Sequence, residues 1–236
     1  MRGWSPGPAL AVFADGVTAI CQISAQFSVD GWAAPSPCPE WRVTDLAGHL
    51  RCVADDYHEY LDDAPVSRLA RLLASDADGE VLARKLARQN AAELAALPDV
   101  SGPEHVAAFA SSAGSYARRL LPIWELPHHQ YRGVLVTVGG MAGAASVEWH
   151  LHAWDLARVL GRDYRPADPE TLLHGWLAGL PQLPIGALAA GGTAAVPDSL
   201  ACAGAVGERG TCRAGPAVRD DPWHVMLRAS GRMPLA

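Results

Sequence analysis

Three residues that can bind a metal ion stand in two predicted helices, His49 in one and Glu148 and His152 in the other. Glu148 and His152 are four residues apart, which places them on one face of a helix. Two imidazoles and one carboxylate form a ligand set of catalytic zinc sites, in which a fourth position stays open for water or substrate. The pattern therefore favours a small metalloenzyme over a binding module.

Each of these residues also has an ordinary interpretation. A histidine among apolar neighbours, such as His49, is more often a core residue with satisfied hydrogen bonds than a ligand. Glu148 lies in an apolar stretch, where a carboxylate is costly to bury unless a cation compensates its charge. Hydrogen bonds from two histidines would help, but a divalent ion would satisfy all three groups at once. Spacing alone leaves both interpretations open.

Other histidines compete for a role in such a site. His150 lies on nearly the opposite helix face from His152, so the two cannot easily bind one ion. His128 and His129 are adjacent in a predicted loop, where they are expected to be exposed to solvent. If either supplied a fourth protein ligand, the site would be closed, which favours a structural metal over a catalytic one. His58 is predicted to lie on the surface.

The elements that must position these residues are mainly helical, because apolar residues recur at spacings of three and four. Thr44 is the expected N-cap of the helix that carries His49, with Asp45 favourable in its first turn. Residues 131–138 are rich in β-branched types and predict an extended segment. Residues 184–218 are rich in glycine, alanine and proline and predict a loop with one strand at most. The predicted helices cover residues 8–29, 43–61, 79–97, 103–121, 141–160, 169–180 and 221–230.

Composition narrows the class of protein further. The 236 residues are 50% hydrophobic with a net charge of -6, which suits one large domain or one domain with a small appendage. Basic residues are not clustered, so nucleic-acid binding is not expected. We expect neither a signal peptide nor a membrane span, because no apolar run of about 18 residues is present. The five cysteines form no CxxC pair, so no disulfide framework is indicated and a reducing cytoplasm is expected.

Two motifs in this chain resemble those of a known family, the mycothiol-dependent maleylpyruvate isomerases of the DinB-like superfamily. Residues 35–50 run Pro-Ser-Pro-Cys-Pro-Glu-Trp-Arg-Val-Thr-Asp-Leu-Ala-Gly-His-Leu, similar to the opening motif of that family. Glu148 and His152, followed by residues 153–158 (Ala-Trp-Asp-Leu-Ala-Arg), resemble its second motif. The closing residues 221–232 resemble its carboxy-terminal helix.

The resemblance implies a fold and a ligand set. The fold is a mainly α, DinB-like four-helix metal-binding bundle over residues 1–164, with a short extended segment. Residues 165–236 would form a less regular carboxy-terminal extension that packs on the bundle. His49, Glu148 and His152 correspond to the zinc ligands of the family, and another divalent metal also suits such a set. Asp45 or Asp155 would orient an imidazole without touching the metal, although Asp45 could instead only favour the start of its helix.

The resemblance also implies a chemistry. Members use mycothiol, a low-molecular-weight thiol, as a cosubstrate for attack on an electrophilic small molecule, and a bound divalent ion removes the thiol proton. An anionic substrate would want a cation, for which Arg228 and Arg232 are the candidate catalytic residues. Cys38 and Cys52 are expected not to be nucleophiles. Residues 184–218 do not align with the isomerase, which makes a thiol S-transferase as plausible as an isomerase.

Two rival functions remain from the sequence. One is a metal-dependent lyase, cyclase or hydrolase of secondary metabolism that uses the open coordination site without a thiol. The other is a metal-binding protein without catalysis. The protein is expected to be a monomer or a homodimer.

Overall fold

The computed structural model describes residues 4–62, 79–131, 134–179 and 221–233, and this part of the chain is mainly helical. It contains eight helices, a single 3-10 turn at Leu121–Ile123 and one two-stranded sheet. The helices are α1 (Pro6–Ser24), α2 (Val29–Trp32), α3 (Val43–Asp62), α4 (Gly79–Ala96), α5 (Gly102–Leu120), α6 (Val138–Val159), α7 (Pro169–Gly179) and α8 (Pro222–Ala229). The strands are β1 (Pro127–Tyr131) and β2 (Val134–Thr137), which pair in antiparallel fashion.

The long helices pack in pairs around one core. Helix α3 packs mainly on α5, and α1 packs mainly on α6. Further contacts of α6 with α3 and of α1 with α5 close the arrangement. The largest fully buried side chains of this core include Phe13, Leu50, Phe109 and Trp149, one from each of these four helices. Helix α3 therefore faces α6, and these are the two helices that carry His49, Glu148 and His152.

Helix α6 is buried on nearly all sides. Of its 22 residues, 18 are buried. A helix that is buried on all sides has no face reserved for solvent. Apolar residues therefore occur all around α6 and not on one stripe. Helices α7 and α8 complete the cover of α6 with a second apolar cluster that includes Leu172, Trp176, Trp223 and Met226.

Several predicted boundaries are corrected by the structure. The first predicted helix ends at Ser24, and a separate short helix follows, because the Ser28 hydroxyl caps Gly31 N–H at 3.1 Å. Thr44 is not an N-cap: α3 begins at Val43, and the Thr44 hydroxyl donates to the Trp32 carbonyl at 2.9 Å. The extended segment corresponds to two paired strands, Pro127–Tyr131 and Val134–Thr137, and Val138 already belongs to α6. The loop predicted at residues 184–218 lies outside the described residues.

By length and composition alone, α1 could cross a membrane, and it is the single helix of this kind in the described residues. Core helices of soluble proteins also pass this test, and Ala9, Phe13 and Ile20 of α1 are buried in the core described above. The expectation that the protein has no membrane span stays a prediction.

Candidate metal centre

The side chains of His49, Glu148 and His152 meet where α3 faces α6. The Nε2 atom of His49 lies 3.3 Å from Glu148 Oε1, and the Nε2 atom of His152 lies 3.1 Å from the same oxygen. The two imidazole rings are 5.2 Å apart between centroids and nearly perpendicular. One potential ligand atom from each residue lies within 4.8 Å of the others. The structure thus brings together the three residues that the sequence singled out as metal ligands.

Asp155 fixes the orientation of His152 from the far side of the ring. Its Oδ2 atom accepts a hydrogen bond from Nδ1–H of His152 at 2.9 Å. With a proton held on Nδ1, the other ring nitrogen, Nε2, faces the place shared with His49 and Glu148. A carboxylate behind a histidine in this way is the common support of metal-binding imidazoles. This places Asp155 where the sequence predicted an orienting residue.

Arg232 in turn holds Asp155. Its Nε donates to Asp155 Oδ1 at 2.9 Å, and its Nη2 donates to Oδ2 at 2.6 Å, so the pair is bidentate. Both side chains are largely buried, at 12% and 2% exposure. The guanidinium of Arg232 is thus engaged by Asp155 and acts on the centre through that carboxylate, while its catalytic role stays a prediction. Arg228 lies in the last turn of α8 and is partly exposed.

Charge pairing decides the protonation of this cluster. Burial opposes ionisation of Glu148, but the charge and hydrogen bonds of His152 and His49 hold its pKa well below the usual range. Burial also disfavours charged His152, yet Glu148 and Asp155 raise its pKa well above the usual value. Burial works against ionised Asp155, while Arg232 and His152 lower its pKa to about 2. For His49 burial dominates, and its pKa is lowered.

A divalent ion fits the donor set by its chemistry. Glu148 Oε1 faces two imidazole Nε2 atoms, and a single cation would take the place of the protons between them. Nδ1 of His49 is buried and has no hydrogen-bond partner among the described residues. A metal bound at Nε2 would leave Nδ1 equally without a partner, so this atom does not separate a ligand from a core histidine, and the fit rests on the donor set itself. Two imidazoles and a carboxylate suit zinc, and also nickel, iron or manganese.

One tight loop brings two further side chains to the centre. Within residues 36–41, Ser36 N–H donates to the Trp41 carbonyl and Trp41 N–H to the Cys38 carbonyl, at 2.8 and 3.2 Å. Glu40 adopts a positive φ of 68°, which closes the turn. The Trp41 ring then lies 4.8 Å from the His49 ring, and Cys38 Sγ lies 3.7 Å from Asp155 Oδ2.

Cys38 is a residue of the centre that sequence reasoning set aside. Its sulfur lies with His152 and Asp155 in a second group of potential metal ligands. Because Arg232 already supplies the cation next to Asp155, we do not assign a second metal ion to this group. The signal that could have found Cys38 is its place in the same short motif as Trp41 and His49.

Two predicted residues lie elsewhere. Asp45 is not a partner of either imidazole: its Oδ2 accepts a hydrogen bond from Arg42 N–H at 2.8 Å and so stabilises the first turn of α3. His150 lies away from the centre, as its helix position predicted. Its Nε2–H donates to the Val12 carbonyl at 3.0 Å, and its Nδ1 accepts from the Tyr164 hydroxyl at 2.6 Å, which ties α6 to α1.

The prediction that His128 and His129 are exposed is wrong. Both are buried on β1, with 3% and 7% exposure. His128 Nε2–H donates to the Tyr60 carbonyl at 2.9 Å, so its Nδ1 must accept the proton of His129 Nδ1, 2.8 Å away. Neither residue belongs to a potential metal-ligand group in the described part of the chain. The fourth protein ligand that would close the site does not come from this pair.

The histidine pair predicts acid sensitivity. Burial, and then the charge of His128, lower the pKa of His129 to about 4 in the folded state. The pKa of a histidine in the unfolded chain is near 6.5. The folded state therefore takes up this proton only at a lower pH than the unfolded state does. Stability is therefore full above about pH 6.5 and falls as the pH drops toward 4. We expect the free energy of unfolding of the wild type to fall more steeply than that of His129→Phe, by up to about 1.4 kcal/mol per pH unit. Urea denaturation at pH 7, 6, 5 and 4.5 measures both slopes, and parallel curves would contradict the prediction.

The fold and the centre together define a class, that of mainly helical proteins in which two histidines and a glutamate from facing helices form a candidate metal site. The family model of the mycothiol maleylpyruvate isomerase N-terminal domain matches residues 13–157, which is more than half of the chain. The chain belongs to this family. No curated protein and no solved structure matches it.

Proposed function

We propose that this protein is a zinc-dependent enzyme that activates a low-molecular-weight thiol, mycothiol, for attack on an electrophilic small molecule. The reaction is an S-transfer or a thiol-assisted isomerisation. The observation that carries the proposal is the convergence of His49 Nε2, Glu148 Oε1 and His152 Nε2 in a member of this family. The proposal includes a DinB-like four-helix bundle over residues 1–164, an extension over 165–236 that packs on it, and a cytoplasmic location.

His49, Glu148 and His152 would hold the ion and leave a coordination position open. An ion bound there supplies a Lewis acid that lowers the pKa of a coordinated thiol toward neutrality. Asp155 keeps the proton of His152 on Nδ1, which leaves Nε2 available as a ligand. Arg232 keeps Asp155 ionised and in place. The Trp41 ring packs against the His49 ring, with centroids 4.8 Å apart, and so supports the position of that ligand.

The test combines metal analysis with thiol consumption. Purified wild type, His49→Ala and Glu148→Ala are analysed for metal content, with His224→Ala as the matched control because it removes an exposed imidazole of α8. We expect about one zinc ion per chain in the wild type and the control, and none in the two site variants. Consumption of mycothiol with a panel of electrophiles is expected to follow the same pattern, and glutathione in its place measures thiol specificity.

The outcomes separate the alternatives. Metal that survives both site substitutions, or no metal in any sample, would overturn the proposed centre. Metal that is lost as expected, without consumption of any thiol, would replace the thiol proposal by a thiol-independent lyase, cyclase or hydrolase, or by a protein that only binds metal.

A further inference from the structure

We propose that Tyr57 is a further catalytic residue of this site, whose hydroxyl donates a hydrogen bond to an oxygen atom of the electrophile as negative charge develops on it. This inference rests on the proposed function, because it assigns a role in the reaction of the same centre. It concerns a residue of α3 that no motif or ligand set described above includes.

Tyr57 lies in the helix that carries His49 and contacts the helix that carries Glu148. It follows His49 by two turns of α3, and helical side chains lean toward the helix N-terminus, so the ring leans back toward His49. Its ring packs edge-on against Trp149, the residue after Glu148, with centroids 5.9 Å apart. The ring therefore lies at the contact of α3 with α6, the two helices that carry the metal ligands, and Glu148 is near enough to act on its hydroxyl electrostatically.

The hydroxyl of Tyr57 is available to a ligand. It has no hydrogen-bond partner among the described residues, although the residue is only 7% exposed. Two other tyrosines differ: the Tyr60 hydroxyl donates to Asp56 at 3.3 Å, and the Tyr164 hydroxyl donates to His150. The Tyr116 hydroxyl also lacks a partner, but solvent cannot reach it. The Tyr57 hydroxyl, in contrast, keeps some exposure to solvent. A donor that no side chain engages and that solvent can still reach is free to bind an oxygen atom of a ligand.

The electrostatic setting keeps this hydroxyl protonated. Burial, and then the nearby carboxylate of Glu148, raise the pKa of Tyr57 well above its ordinary value. A neutral hydroxyl in such a place donates a hydrogen bond without giving up its proton. Donors of this kind that face a developing oxyanion supply a large part of the rate enhancement in many enzymes.

The chemistry is that of a conjugated carbonyl compound. A sulfur–carbon bond forms at the β carbon, the π electron pair of the carbon–carbon double bond shifts, and negative charge accumulates on the carbonyl oxygen. Tyr57 donates its hydrogen bond to that oxygen and keeps its proton. Protonation of carbon by water completes an addition, whereas departure of the thiol after bond rotation completes an isomerisation. The proton of the thiol itself passes to solvent before the attack.

Two electrophiles and two variants test the role. Tyr57→Phe is compared with Tyr116→Phe, which removes a buried and unpartnered hydroxyl without the accessible setting. With mycothiol and cyclohexenone, we expect Tyr57→Phe to lower kcat by about 100-fold, with little change in KM. With mycothiol and benzyl chloride, in which halide leaves and no oxyanion forms, we expect a change within about twofold. Tyr116→Phe is expected to leave both rates near the wild-type values.

Three further readouts exclude a structural explanation. Metal content and the urea midpoint of Tyr57→Phe are expected to match those of the wild type. Calorimetry with cyclohexanone, an unreactive analogue of the ground-state carbonyl, is expected to show similar affinity in Tyr57→Phe and Tyr116→Phe, because the hydrogen bond strengthens only as negative charge develops. Equal losses with both electrophiles, or no loss with cyclohexenone, would overturn the role of Tyr57 and leave the proposed function intact. If the wild type consumes no thiol with either electrophile, both proposals fall.

Discussion

Replacement of Asp155 by alanine is expected to lower the free energy of unfolding by about 3–5 kcal/mol. The substitution leaves the Arg232 guanidinium buried without its bidentate carboxylate and removes the acceptor of His152 Nδ1–H. A buried charge that loses its partner is strongly destabilising, because the desolvation cost is no longer offset. Metal affinity is expected to fall by about 10- to 100-fold, since the orientation of His152 is lost. Urea denaturation and competition with a chelator measure the two effects.

Two control variants separate the two effects of Asp155. Asp163→Ala breaks the ion pair with Arg158 at 3.4 Å, in which Asp163 is almost fully exposed, and is expected to change stability by less than about 0.5 kcal/mol. The double variant Asp155→Leu with Arg232→Met replaces the buried pair by apolar side chains and is expected to recover most of the lost stability. It is not expected to recover metal affinity. If Asp155→Ala is no more destabilising than Asp163→Ala, the pair does not support the centre.

The second large effect is expected at the contact of α6 with α7. A Cβ atom at Gly143 would lie 2.2 Å from the backbone oxygen of Gly175, and a backbone atom cannot move aside as a flexible side chain can. Gly143→Ala is therefore expected to destabilise the protein by about 3 kcal/mol, because the two helices must separate. The measurement is the urea midpoint, with near-ultraviolet circular dichroism to report packing around the nearby tryptophans.

Gly114 in α5 provides the matched control. It is also a helical glycine, but a Cβ atom there would meet nothing closer than Arg118 Nη1 at 3.7 Å. Gly114→Ala is expected to stabilise the protein by about 0.5–1 kcal/mol, since alanine restricts the unfolded chain and favours the helix. A loss of stability at Gly143 that is no larger than the change at Gly114 would contradict the close contact of α6 and α7.

Helices and ligand candidates were predictable from the sequence because both depend on local spacing. The amphipathic pattern of α3 and the four-residue separation of Glu148 and His152 are visible without any tertiary information. The pair of strands was predictable only in its second strand: residues 127–130 hold no β-branched side chain, and burial of His128 depends on the Tyr60 carbonyl, 68 residues away. The local sequence pattern cannot reveal a hydrogen-bond partner that is so distant in the chain.

The supports of the centre could not be derived from spacing for the same reason. Asp155 is separated from Cys38 by 117 residues and from Arg232 by 77, and no periodicity links these positions. Arg232 was singled out only because a cation near the metal would suit an anionic substrate. The structure assigns its charge to Asp155 instead. The free hydroxyl of Tyr57 was equally hidden, because a tyrosine on an apolar helix face predicts packing and says nothing about its oxygen.

The burial of α6 on all sides has a consequence for how the family can diversify. Its residues bind α1 through His150, accept the close approach of α7 at Gly143 and carry Glu148 and His152 toward α3. Because 18 of its 22 residues are buried, few positions remain at which evolution can substitute freely. Substitutions that spare the fold are therefore expected mainly in the surrounding helices and in the loop of Cys38 and Trp41, and less often in α6 than elsewhere in the described residues.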